Sequence, residues 1–151
     1  MEQTRKNIDA AMGRGKADLV LKNANFINVF TENIDRGDIA ILGDTIIGIG
    51  EYDGIAEIDC SDLYVSPGFI DSHVHIESSM IMPRQFAEVV IKKGVTTIIA
   101  DPHEIANVEG MNGIHFMIKN SKKAPIDIFY MLPSCVPATN FEDRKSTRLN
   151  S

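Results

Sequence analysis

The sequence predicts an α/β chain in which a small β-rich region precedes the opening of a parallel-sheet domain. Three observations carry this. Residues 16–65 hold many short β-prone runs divided by turn residues, the pattern of a small β-sandwich or open barrel. Beyond Pro67-Gly68, helical periods alternate with apolar runs at Val95–Ala100 and Pro125–Leu132. Strand, helix, strand, helix, strand implies a parallel sheet with right-handed crossovers.

Residues 1–15 are polar around Ile8, Ala10, Ala11 and Met12. They read as a short amphipathic helix ending near Gly13 or Gly15, or as disordered chain. Asp18–Lys22 and Phe26–Phe30 are read as two strands about an Asn23-Ala24-Asn25 turn. Asp38–Leu42 and Thr45–Ile49 flank Gly43-Asp44, a two-residue loop suited to a hairpin. The acids of this region, Asp35, Asp38, Asp44, Asp53 and Asp59, are assigned to solvated turns.

Residues 65–77 then read as a loop entering a buried strand. Alternation along that strand puts His73 and His75 on one face, about 7 Å apart along the backbone, where both can reach one metal ion. His-x-His alone recurs by chance. After it, Pro83 suits a first helical turn, Phe86, Val89 and Val90 share a face, and Gly94 caps the run. Val95–Ala100 is β-branched, fit for a parallel strand buried on both sides. A helix is expected over Val108–Asn120, with Val108, Met111, Ile114 or His115, and Ile118 at helical spacing. His115 is assigned to packing or surface.

The chain has 151 residues, 44% of them apolar, and a net charge of −6, enough for one ordinary core. No basic cluster supplies a nucleic-acid footprint. Cys60 and Cys135 lack ligand spacing and read as reduced, partly buried thiols. The N-terminus has no signal-peptide pattern, and the longest apolar stretch, Ile39–Ile49, falls short of a bilayer span. The reading is a soluble, cytoplasmic chain with neither a nucleic-acid nor a membrane partner.

Pro67-Gly68-Phe69-Ile70-Asp71-Ser72-His73-Val74-His75 resembles the first barrel strand of the amidohydrolase superfamily. With His75-Ile76-Glu77-Ser78-Ser79-Met80 and Asp101-Pro102-His103-Glu104-Ile105-Ala106-Asn107-Val108, it is similar to the bacterial-type adenine deaminase family, from about Asp18 to Glu142. That resemblance implies a (β/α)₈ TIM-type barrel, and a barrel needs about 250 residues. The expectation is therefore a truncated chain. Residues 16–65 would be the N-terminal part of a composite β-sandwich domain, and 66–142 about three barrel strands. Residues 143–151 depart from the family pattern in a polar basic tail and read as a non-native end.

Active sites of barrels sit where the strands end, so the His pair and the Asp101–Glu104 block should share one face. The resemblance implies His73 and His75 as ligands of a divalent metal. A site rich in histidine accepts Zn, Fe or Mn; the resemblance implies manganese or iron, two ions in the complete enzyme. The implied reaction is attack of metal-activated hydroxide on adenine C6, giving hypoxanthine and ammonia. Asp101 and Glu104 are the candidate proton carriers, although Asp-x-x-Glu also makes a helix-capping box. Glu77, Ser78 and His103 are candidates for contacts to metal, purine or the ligands; capping is the alternative for Ser78 and Ser79. A homo-oligomer is expected at full length. Alternatives are a dihydroorotase-like or imidazolonepropionase-like amidohydrolase, and a non-catalytic amidohydrolase-like scaffold, against which the intact His pair argues.

Overall fold

The computed structural model describes residues 2–133, which divide after Pro67 into two compact units. In the first, helix α1 (Glu2–Ala11) leads to strands β1 (Ala17–Asn28), β2 (Asn33–Leu42), β3 (Thr45–Gly50), β4 (Gly54–Asp59) and β5 (Tyr64–Val65). Strand β2 is antiparallel to β1 on one side and to β3 on the other. Strands β4 and β5 share the opposite edge of β1, both parallel to it. Among the described residues this is one hydrogen-bonded five-stranded sheet. The long β1 serves as pairing partner on both of its edges. Both faces bury apolar side chains, Phe26, Ile39 and Cys60 in one cluster, Val20 and Ala40 in another.

The expected turn at Asn23-Ala24-Asn25 is a bulge within β1. The register with β2 slips between Leu21 and Ala24, and Asn23 takes a left-handed φ of 57°, which asparagine tolerates better than most residues. Asp38 is the reason the chain does not turn. Its carboxylate accepts the Asn23 N–H at 2.9 Å and the Lys22 ammonium, filling the gap in the ladder. Asp38 is 8% exposed, so its assignment to a solvated turn does not hold.

In the second unit, β6 (Phe69–Val74), α2 (Pro83–Val90), β7 (Val95–Ala100), α3 (His103–Ser121) and β8 (Asp127–Tyr130) follow in order. The strands form a parallel sheet with β7 central. Ile76, Ala87, Ile98, Ala100, Met117 and Ile126 make its core. Strand β6 is not the buried strand expected. It pairs only with β7 among the described residues, leaving Phe69 and Ile70 62% and 66% exposed. Likewise β7 is fully buried only at Ile98 and Ala100, one face of the alternation.

Pro83 opens α2 at its first turn, and Gly94, at φ 86°, closes the 3₁₀ turn that follows it. Phe86 and Val90 pack on the core with buried Ala87, whereas Val89 faces out. Helix α3 starts five residues earlier than expected and breaks at Gly110, whose φ of 58° and ψ of −139° no helix contains. That break rotates the buried side. Ala106, Gly113 and Met117 face inward, while Val108 and Ile118 are exposed, so one unbroken helical period does not describe this segment. Cys60 is buried as a free thiol. Cys135 and the 143–151 tail lie outside the described residues.

Candidate metal centre

Alternation along two adjacent strands builds the site. On β6, Val74 packs toward the core shared with α2 and α3; on β7, Ile98 and Ala100 do the same. His73 and Asp101 therefore project from the other face, His75 with them. The ladder runs one step past the strands, since the Asp101 N–H donates to the Val74 carbonyl at 2.9 Å. This sets His75 beside Asp101, and His75 Nδ1 lies 3.1 Å from the Asp101 backbone oxygen. A carbonyl only accepts, so that contact puts the proton on Nδ1 and the lone pair on Nε2.

His73 Nε2 stands 3.2 Å from His75 Nε2, the separation of two ligands on one ion with metal–nitrogen bonds of about 2.0–2.1 Å. A carboxylate oxygen of Asp101 completes the group, all three ligand atoms lying within 4.8 Å of one another. Asp101 is 7% exposed, and its Oδ1 is buried without a hydrogen-bond partner. An unpaired buried carboxylate oxygen is costly, and a cation would relieve it. Imidazole nitrogen with carboxylate oxygen suits a first-row divalent ion. The residues present fit such a group.

A second group adjoins it through His75, whose ring meets that of His103 edge-on with centroids 4.6 Å apart. His75, His103 and Glu104 each offer a ligand atom within 4.8 Å of the others. His103 Nδ1 lies 3.2 Å from Asp101 Oδ2, outside hydrogen-bond alignment. No capping box forms. Pro102 occupies the cap of α3 without a side-chain bond, and Glu104 Oε1 instead accepts the Ser78 hydroxyl at 2.7 Å. Glu77 Oε1 accepts the Ile105 N–H at 3.3 Å. Ser79 bonds back to the Ile76 carbonyl. His115 is exposed on α3, away from any of these contacts. Tyr130, at the end of β8, packs on the core, and burial pushes its phenol above the usual value.

Two things escaped sequence reasoning. The Asp101 carbonyl that orients His75 is backbone, which carries no residue signature. The contacts from Glu77 and Ser78 to α3 span 28 and 26 residues, and no local pattern reports them.

A parallel α/β scaffold with paired imidazoles and a buried carboxylate at adjacent strand ends defines a class, proteins whose strand ends could hold a divalent cation. The chain belongs to the amidohydrolase family, whose sequence model matches residues 64–151. Members of that superfamily use divalent metals. The chain is similar to the adenine deaminase of Clostridium acetobutylicum, 63% identical over 137 residues, covering 91% of this chain and 24% of that protein. It is also similar to that of Geobacillus kaustophilus, 56% identical over 135 residues, 89% of this chain and 23% of the relative. Against that of Listeria innocua the identity is 51% over 148 residues, 97% and 26% of the two chains. The chain thus spans about a quarter of the length of the curated relatives it matches.

Proposed function

We propose that the protein carrying this chain hydrolyses adenine to hypoxanthine and ammonia, a step of purine metabolism. One observation carries the reading. The His73–His75–Asp101 group sits where two parallel strands end, in a chain with 63% identity to an adenine deaminase. In this reading the second unit is the first three strands of a (β/α)₈ barrel, and the first unit is the opening part of a composite β-domain. A cytoplasmic, homo-oligomeric full-length enzyme is part of the same proposal.

His73 and His75 would hold the divalent ion, manganese or iron in preference to zinc, within a binuclear centre at full length. Such an ion supplies a water acidic enough to ionise near neutral pH. The chain's own residues then manage protons. Glu104 takes the first proton of the attacking water and delivers it to adenine N1 as C6 becomes tetrahedral. Asp101 next takes the remaining hydroxyl proton and passes it to the departing amine, so that both protons of water end on N1 and ammonia. His75, held by the Asp101 carbonyl, keeps its lone pair directed at the ion. His103 borders Asp101 and Glu104 and orients them. Assay of the full-length protein with adenine, dihydroorotate and imidazolone propionate tests the assignment. Release of ammonia from adenine is expected; turnover of another substrate with none of adenine would replace it, and turnover of none would favour a scaffold.

A further inference from the structure

The loop after β6 grips the first turn of α3 at two points. Glu77 Oε1 takes the Ile105 N–H, and the Ser78 hydroxyl donates to Glu104 Oε1 at 2.7 Å. The helix has no side-chain cap of its own, so Glu77 supplies from a distant loop an acceptor that a cap residue would ordinarily provide. That loop is itself firm. Residues Glu77–Ser79 form a 3₁₀ turn, the Ser79 N–H and hydroxyl both return to the Ile76 carbonyl, and Ile76 is fully buried in the core. Ser78 is therefore a fixed donor beside a carboxylate that has three free torsions of its own.

We propose that Ser78 is a positioning residue for Glu104, its hydroxyl holding one carboxylate oxygen so that the group stays beside His75 and His103. The proposal rests on the reading of Glu104 as a proton carrier. Ser78 touches neither the ion nor the purine in it; the hydroxyl acts through Glu104. Ser78 is exposed, so its replacement leaves the core intact.

The test uses the full-length protein with four variants, Ser78→Ala, Ser78→Thr, Glu104→Ala and the Ser78→Ala/Glu104→Ala double. Ser78→Ala should lower kcat about tenfold, the scale of a lost hydrogen bond to a charged group. KM for adenine should stay within about twofold, bound metal by elemental analysis should be unchanged, and Ser78→Thr should restore kcat. In the Glu104→Ala background the Ser78→Ala change should have no further effect, the signature of residues acting as one unit. An undiminished kcat in Ser78→Ala overturns the proposal. So does an equal loss in both backgrounds, or loss of metal from the single variant. Wild-type turnover by Glu104→Ala overturns the Glu104 reading first, and the role of Ser78 with it.

Discussion

At His75 the two ring nitrogens have separate tasks. Nδ1 is committed to the Asp101 carbonyl, and the Nε2 lone pair is thereby turned toward His73 and Asp101. In the proposed centre, His75 would thus be oriented before any ion arrives. His73→Ala or His75→Ala in the full-length protein should therefore reduce bound metal and remove most deaminase activity; unchanged metal in both, by elemental analysis, would contradict the assignment. Glu104 differs in that its carboxylate is tied to Ser78. Glu104→Gln should keep its metal and turn over about 10²-fold more slowly, the scale of lost acid–base catalysis. Near-normal single-turnover rates would remove Glu104 from the chemistry. The histidines were legible because strand alternation is a local rule acting over three residues. Asp101 and Glu104 needed the topology as well, for only the parallel pairing of β6 with β7 brings residue 101 beside residue 75. The Asp-x-x-Glu spacing taken alone suggested a capping box, which the structure lacks.

Among elements, the bulge in β1 shows how a polar pair substitutes for a turn. Burial pushes the Asp38 carboxyl upward, but the Lys22 ammonium and the N–H groups of Asn23 and Tyr52 outweigh it and hold the group below its usual range. The bond to Asp38 in turn raises Lys22 above the ordinary lysine value, against the opposing effect of burial. The depressed acid contributes stability above about pH 4, lost as pH falls through its lower folded value. The raised base contributes fully below about pH 10.4, and that share is lost as pH rises through its higher folded value. Asp38→Ala should accordingly loosen the bulge by about 1–3 kcal/mol near neutral pH, as buried donors lose their acceptor. Amide hydrogen exchange across Leu21–Asn25 would read this. The difference from wild type should shrink as the solution is acidified, and a constant difference down to acid pH would show that the charge of Asp38 plays no part. Nothing in the sequence separated Asp38 from its solvated neighbours, because its partners lie 15 and 16 residues away. The strand-and-helix order of the second unit was legible, since helical and β-branched runs alternate clearly. The break at Gly110 was not, as one glycine inside an apolar period is usually tolerated.

For the molecule as a whole, the parallel sheet has two open edges among the described residues, β6 and β8 each pairing only with β7. Apolar side chains stand on both: Phe69 and Ile70 on the first, Phe129 on the second, with Leu132 just beyond it at 74% exposed. Unpaired strand edges of this kind template association with another chain, and apolar side chains along them add a hydrophobic drive. The candidate centre belongs to the same sheet. His73 is itself exposed, so water reaches that side of the group and weakens the electrostatic contacts made there. The 151-residue chain expressed alone should therefore self-associate at micromolar concentration and show no adenine deaminase activity with added Mn²⁺. Light scattering coupled to size exclusion measures the first, and ammonia release the second. Introducing Lys at Phe129 should reduce association by placing a charge on the open edge, as natural edge strands do. A monomer that released ammonia from adenine would show that the three strands suffice for the site, against the eight-stranded closure proposed for the full protein.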